Sequence, residues 1–585
     1  MTTPDTLPAI DPVTLALVQN RLDHISRQMG FVMTRTARSP IFNQSHDFSC
    51  FLTDAAGTLI SQADGIPIHT GGGGFTVRAV ISAFDGRIEP DDVFLSNDPY
   101  EAGGNHLPDW VISRPVFVGT ELVGWACNRA HQSDIGGGAA GTYNPEATEI
   151  FHEGIRLPPL KLIEGGVLRD DLWQLLRLNS RTPELLDGDL RAMIGSTAIG
   201  GDRLAELVAN LQAEHGHAAG TGYFDALLAY ADSRFRQACD SLPMGVWEAD
   251  EITDNDCFEQ RDIHIRVRLT HDDEGITVDF TGSDPQMRGF KNSSLANTHS
   301  AVYMALASFF EPDLPRNEGA FRSVRIIAPE GSVVNPRPPA PLTMCTVFIA
   351  HEIVHAIWRT LGEADPDRAC AGWGKTIHNI TSGRLPDSTE PYVMYNWAAN
   401  AGGGAVEGRD GFNQIGLLIA LGGLHLPNAE GYERIYPAKI RRQEFRTDAA
   451  GAGAWRGGSG VHYAVDVPLP ATYSFRGEGL DTPSGFGIQG GDAGHAGEMK
   501  VTTDGGEIFD APKYGVRDLP AARLEAASPG GGGLGDPKQR DPERVLRDVR
   551  DEIVSPDTAR TVYGVALSAD GRSIDRVETA RLRGS

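Results

Sequence analysis

Apolar positions along this chain recur with two periods, and the alternation between those periods outlines its elements. Behind Asp11 as N-cap and Pro12 at the first helical position, Leu15, Val18, Leu22, Ile25, Met29 and Val32 fall three and four apart. That spacing predicts a helix burying one stripe. Residues 48–62 read as a hairpin around Asp54-Ala55-Ala56-Gly57, and residues 111–118 and 121–128 as a second one around Gly119-Thr120. Helical stripes return at Leu204, Leu207, Val208 and Leu211 and at Phe224, Leu228, Ala231 and Phe235, with residues 214–222 as a connecting loop near a domain boundary. From Ile263 the period becomes two: Ile263, Ile265, Val267 and Leu269, a turn at 271–275, then Ile276, Val278 and Phe280. A helix is expected around 346–361, glycine-punctuated strands over 436–467, and a charged helix from about Asp541. No internal repeat is visible. These elements give a mixed α/β (α+β) multidomain fold.

Length and composition sharpen that picture. The 585 residues exceed what one core organises. The expected division is an N-terminal α/β domain at 1–200, a helical connecting segment at 201–260, a central mixed β/α domain at 261–470, and a glycine-rich segment with a terminal helix at 471–585. Glycine is abundant at 69 residues and clusters at 71–74, 402–404 and 530–533. Periodic apolar segments flank each cluster, so these read as structured turns and close-approach loops rather than disorder. A formal charge of −26 excludes a general nucleic-acid binder. Six scattered cysteines without a C-x-x-C pair point to free thiols in a reducing compartment and against a thiolate zinc site. The first residues carry neither a basic nor an apolar signal region, and the longest apolar run, near 415–426, is too short and glycine-broken to span a bilayer. The expectation is a cytoplasmic protein that engages no membrane.

The candidate chemistry concentrates in residues 97–138. His106 and Asp109 precede the second hairpin, and a polar knot with His131 and Asp134 follows it. With Gly119-Thr120 as a two-residue turn, outward pairing sets Asp109 opposite Ala130, so His106, Asp109 and His131 meet at the open end. Two imidazoles and a carboxylate suit zinc, manganese or ferrous iron. Spacing alone leaves open a second reading, a polar hairpin mouth whose histidines bond only to backbone. His69, abutting Gly71 to Gly74, either faces a site or is a satisfied structural group. Residues 144–159 carry His152 and Glu153 in a polar loop, candidates for supporting or substrate contacts.

Other motifs compete. His351-Glu352-Ile353-Val354-His355 spells H-E-x-x-H within an expected helix, the pattern of a zinc metallopeptidase, but no third ligand follows at the usual spacing. Gly372-Trp373-Gly374-Lys375-Thr376 resembles the end of a P-loop whose first glycine is replaced by Ala369. No G-x-S-x-G nucleophile elbow occurs.

Taken together, longer blocks resemble the hydantoinase B/oxoprolinase family. They are Asp11-Pro12-Val13-Thr14, Asn20-Arg21-Leu22, Asp47-Phe48-Ser49, Ile66-Pro67-Ile68-His69, Asn97-Asp98-Pro99 and Gly104-Asn105-His106-Leu107-Pro108-Asp109. Asp279-Phe280-Thr281-Gly282, Asn317-Glu318-Gly319, Asn335-Pro336, Pro339-Ala340-Pro341, Gly453, Arg456-Gly457-Gly458 and Pro529 to Gly533 with Gly535-Asp536-Pro537 continue the likeness over nearly the whole chain. Ser45-His46 and Lys375 are modest departures. The resemblance implies one divalent metal ion on His106, Asp109 and His131, and it demotes the H-E-x-x-H pattern. It also implies a hetero-oligomer with a hydantoinase A-like ATPase subunit that holds ATP and phosphorylates an inert carbonyl or amide oxygen. The chain would then be the metal-containing subunit that opens a cyclic amide (hydantoin, 5-oxoproline or lactam). The large subunit of a ketone carboxylase is the alternative, disfavoured by the shorter chain. Asp134 or His69 would act as general base or orient a metal-bound histidine.

Overall fold

Helix α1, Pro12–Thr36, opens the described chain, and the Asp11 carboxylate caps it by accepting the Thr14 N–H at 3.0 Å. The computed structural model describes residues 11–584 apart from 64, 311–312, 387, 389 and 397. The buried stripe of α1 is Val18, Leu22, Ile25, Met29 and Met33; Met33 closes it where Val32 was expected. By internal packing the chain forms two compact units, Met1–Thr360 with Gly423–His425, and Leu361–Gly422 with Leu426–Ser585. The expected segments 1–200 and 201–260 and the first hundred residues of 261–470 lie in the first unit. The remainder of 261–470 (apart from 423–425) and 471–585 lie in the second.

The first unit is built on an antiparallel seven-stranded sheet. Its strands are β1 Phe48–Asp54, β2 Leu59–Gln62, β3 Val93–Ser96, β4 Asp109–Val118, β5 Glu121–His131, β6 Leu160–Glu164 and β7 Val167–Leu168. Their order is β2-β1-β5-β4-β3-β6-β7. Phe51, Val77, Val80, Phe94, Val111, Trp125 and Cys127 close into one apolar cluster. Helix α2, Pro183–His215, packs on α1 and on β4 and β5. It begins well before the stripe at Leu204. Helix α3, Ala219–Cys239, follows a break at Gly216, whose φ of +95° suits glycine. Both helices belong to the first unit, and of the expected 214–222 loop only 216–218 lies between them, the rest being helical. A second sheet, ordered β11-β10-β9-β8, holds β8 Gly245–Asn255, β9 Gln260–Asp272, β10 Gly275–Asp279 and β11 Val324–Ile327. The period-two run falls on β9 and β10, paired antiparallel about the expected turn.

The second unit holds β12 Ile377–Arg384, β13 Pro391–Asn396, β14 Lys439–Phe445, β15 Val461–Val467, β16 Ala471–Gly477, β17 Glu498–Thr503, β18 Ile508–Asp510, β19 Tyr514–Leu519 and β20 Ala522–Ala527. They form two sheets, β13-β12-β16-β19 and β14-β15-β20-β17-β18. Beside them the glycine clusters lie backbone against backbone. Gly458 donates to the Gly403 carbonyl at 2.8 Å, Gly531 to Gly458 at 3.0 Å, and Gly451 to Gly531 at 2.8 Å. A Cβ on Gly458 would stand 1.9 Å from the Phe412 carbonyl oxygen, and one on Gly531 2.0 Å from that of Gly403. A side chain at these positions would strike backbone, so 402–404 and 530–533 are close-approach segments, packed backbone to backbone. All six cysteines are free, and among the described residues no helix is long and apolar enough to cross a membrane.

Candidate metal centre

Three adjacent strands bring the candidate residues to one end of the first sheet. β4 starts at Asp109, β5 ends at His131, and β1, on the far side of β5, starts just after Asp47. The register differs from the simple hairpin count. Val118 pairs with Glu121 and Phe117 with Leu122, but an irregularity between Val116 and Phe117 shifts the ladder by one. Asp109 therefore stands opposite His131 rather than Ala130, and the two side chains project to the same face. His106 reaches the same point through a tight turn in which Asp109 donates its N–H to the His106 carbonyl at 3.2 Å. Asn97 secures that turn, its side-chain amide donating to the Leu107 carbonyl at 2.7 Å. On the other edge, His131 donates its N–H to the Asp47 carbonyl at 3.1 Å.

The three side chains are almost wholly shielded, with relative exposures of 1% for His106, 0% for Asp109 and 2% for His131. One potential ligand atom from each lies within 4.8 Å of the others, and among the described residues no other such group occurs. Asp109 Oδ1 lies 2.7 Å from His106 Nε2 and 3.2 Å from His131 Nδ1. The opposite nitrogen of His106, Nδ1, faces the Thr343 carbonyl oxygen at 2.5 Å, and a carbonyl can only accept. That contact places the proton of a neutral imidazole on Nδ1 and turns the Nε2 lone pair toward a carboxylate oxygen. Two lone pairs facing at 2.7 Å require a positive charge between or beside them, a proton or a metal cation. Zinc–nitrogen and zinc–oxygen bonds of about 2.0–2.2 Å put donor atoms about 3–4 Å apart; the 3.2 Å spacing lies in that range and the 2.7 Å one just short of it, so the donor set fits a divalent ion with a slight opening of the cluster. Burial alone would push the Asp109 carboxyl up, but the facing His106 and His69 rings hold it well below the usual carboxylate range. Tyr143 stacks on His131, with ring centroids 5.5 Å apart, and walls the cluster.

His69 does face this cluster. Its Nε2 lies 3.5 Å from Asp109 Oδ2 and 3.6 Å from Asp47 Oδ1, and its Nδ1 lies 3.4 Å from the Ser49 hydroxyl. Burial pushes His69 down to about 4, against the pull of Asp109, so it is a neutral ring at physiological pH. Asp134 has a different engagement. It accepts the N–H groups of Gly136, Gly141 and Arg181 at 3.2, 3.0 and 2.8 Å and pairs with the Arg181 guanidinium at 3.1 Å. Both its oxygens thus hold the loop that leaves β5. Asp47, which sequence reasoning did not single out as a site residue, joins the cluster as its most exposed member at 14%. Strand alternation cannot reveal it, because its position depends on β1 lying beside β5. Arg129, fully buried one rung along β5, donates to the His69 carbonyl at 2.6 Å and to the Asn105 amide oxygen at 2.8 Å.

The competing motifs resolve into structure. His351, Glu352 and His355 are buried on helix α4, Ala350–Ala364, where Glu352 accepts the Ile349 N–H at the helix start and His355 lies 3.8 Å from Glu251. Lys375 is buried and Thr376 runs directly into β12, so no helix N-terminus follows to cradle phosphate.

The sequence blocks agree with the comparison with known families: residues 11–537 match the family described as hydantoinase B/oxoprolinase. The chain belongs to the hydantoinase B/oxoprolinase family. One relative, the beta subunit of the caprolactamase of Pseudomonas jessenii, is 33% identical over 581 residues, covering 96% of this chain and 97% of that protein. The B subunit of a putative D-/L-hydantoinase from Pseudomonas sp. (strain NS671) is 29% identical, covering 99% and 98%. The crystal structure of the ATP-dependent caprolactamase from Pseudomonas jessenii superposes with a TM-score of 0.90 at 32% identity, over 99% of this chain and 100% of that one. An acetone carboxylase structure shares the fold with a TM-score of 0.85 at 22% identity, over 99% and 84%. Within this family, the mixed α/β architecture seen here is that of the caprolactamase.

Proposed function

We propose that this chain is the metal-bearing subunit of an ATP-dependent enzyme that opens cyclic amides of the hydantoin, 5-oxoproline or lactam type. A hydantoinase A-like ATPase partner would phosphorylate the amide oxygen and pass the activated substrate to this chain. The observation carrying the reading is the cluster of His106, Asp109 and His131, in which a lone pair and a carboxylate face each other across 2.7 Å. The partner and the ring substrate are supported by two relatives matched over nearly their full lengths, the beta subunit of a caprolactamase and the B subunit of a putative hydantoinase.

A divalent cation held by these three side chains would supply Lewis acidity and lower the pKa of water. The chain's own residues supply the rest. Asp109 presents Oδ1 to both histidines, while His69, its Nε2 3.5 Å from Asp109 Oδ2, stands beside the other carboxylate oxygen. Asp47, at the least shielded edge, is placed to accept a proton from water entering there, with His69 beside it at 3.6 Å. Asp134, committed to Arg181 and the loop, orders the exit of β5. Tyr143 and the buried walls exclude bulk water around the histidines.

The test is to purify the chain with its ATPase partner and supply ATP with caprolactam, hydantoin or 5-oxoproline. ADP release coupled to ring-opened amino acid is expected, and so is its loss in His131→Ala together with bound metal. ATP-dependent carboxylation of a ketone from bicarbonate, without amide opening, would replace this reading with the carboxylase one. Undiminished ring opening by His131→Ala would refute the site.

A further inference from the structure

Glu153 is a carboxylate with no exposure at all, and two consecutive backbone N–H groups hold it. Its Oε1 accepts Leu342 at 2.9 Å and Thr343 at 2.7 Å, and its Oε2 lies 3.0 Å from the Leu342 nitrogen. The next group along that backbone, the Thr343 carbonyl, is the one that faces His106 Nδ1. The segment 339–343 is held at several points. The Pro339 carbonyl accepts Ile150 N–H at 2.8 Å, Ala340 accepts the Tyr100 hydroxyl at 2.7 Å, and Pro341 accepts the Asn292 amide at 2.9 Å. Prolines at 338, 339 and 341 have no N–H to give, which leaves the N–H groups of Leu342 and Thr343 for Glu153 to take. Ile150 and Glu153 lie on one short 3-10 turn, so a single local element grips both ends of the segment.

We propose that Glu153 is a positioning residue for the metal centre: by fixing the backbone of Leu342 and Thr343 it sets the Thr343 carbonyl, and thereby the tautomer and orientation of His106. The inference rests on the metal reading above. Burying a carboxylate is costly unless hydrogen bonds satisfy it. The Glu153 oxygens are spent on the one stretch of backbone whose next carbonyl orients a metal-ligand candidate. Groups that orient a ligating histidine typically contribute about tenfold to a hundredfold in metal affinity. Glu153→Gln keeps Oε1 as an acceptor for both N–H groups, while it removes the charge and puts an amide NH2 in the place of Oε2. Glu153→Asp withdraws the carboxylate by one methylene, and Glu153→Ala removes the grip.

Zinc and manganese affinities of the full chain, measured by competition with a chromophoric chelator, test this directly. Glu153→Ala is expected to bind about tenfold to a hundredfold more weakly, Glu153→Asp to fall between it and wild type, and Glu153→Gln to stay near wild type. Leu22→Ala, a remote core truncation in α1, serves as the control for lost stability and is expected to bind normally. A metal-independent readout accompanies it. The His106 Nδ1–H should give a slowly exchanging downfield proton resonance in wild type that vanishes in His106→Ala and Glu153→Ala. Wild-type affinity and an intact resonance in folded Glu153→Ala or Glu153→Asp, or an equal loss in Leu22→Ala, would overturn the proposal. His131→Ala binding metal like wild type would instead sink the metal reading itself, and the imidazole resonance would still report on Glu153.

Discussion

Asp109→Asn separates a cation-demanding cluster from an ordinary polar one. In the chelated wild-type protein at pH 9 no metal supplies positive charge, and the fully buried Asp109 carboxylate faces the His106 Nε2 lone pair at 2.7 Å. An uncompensated buried charge costs about 3–5 kcal/mol, and the N–H that His131 Nδ1 can offer at 3.2 Å, with the His69 ring 3.5 Å from the other oxygen, reduces this to about 2 kcal/mol. An amide nitrogen in the place of Oδ1 donates to both rings and removes that cost. The metal-free asparagine variant should therefore be more stable than metal-free wild type. With about 2.1 cal/mol/K of unfolding entropy per residue over the roughly 360 residues of the first unit, about 2 kcal/mol corresponds to an upward shift of about 3 °C. With metal the order reverses: at about a hundredfold excess over Kd, wild type gains about 2.7 kcal/mol and the variant, lacking the charged ligand, gains nothing. Differential scanning fluorimetry at pH 9, with and without chelator, measures both differences. A chelated variant less stable than chelated wild type, or a variant that keeps the metal-dependent shift, would refute the argument.

Two further outcomes follow from the geometry. Glu352→Gln should leave metal content and activity unchanged, because Glu352 accepts the Ile349 N–H at a helix start; elemental analysis showing lost metal would restore the peptidase reading. His378 in the second unit is pushed down to about 3 by burial, with Arg476 adding to the effect. Its folded value lies below its unfolded 6.5, so the associated stability is complete above pH 6.5 and is lost as pH falls toward 3. At pH 5 the loss is about 2 kcal/mol, which His378→Gln should abolish in a pH series of thermal melts; an unchanged acid limb would contradict it.

Local chemistry decided a large part of this molecule. The Asp11-Pro12 start and the three-and-four spacing determine α1, since capping and amphipathic burial act within a few turns. Alternation and the Gly119-Thr120 turn determine the β4–β5 hairpin, and three-residue spacing places His106 and Asp109 in one turn. Tertiary packing decided what depends on partners distant in sequence. The one-residue shift near Val116 put Asp109 opposite His131, because inward and outward faces are set by the whole sheet's burial rather than by the turn. The insertion of β5 between β1 and β4 brought Asp47 and His69 to the cluster, and no local period encodes strand order. Burial turned the H-E-x-x-H helix inward and committed Asp134 to Arg181. The Thr343 carbonyl reaches His106 across 237 residues of sequence, and Glu153 reaches Leu342 across 189. Hydrogen bonds over such separations are selected only when the core has closed around them, which is why the ligand candidates, His69 and Glu153 could be singled out along the chain while the contacts each of them makes could not.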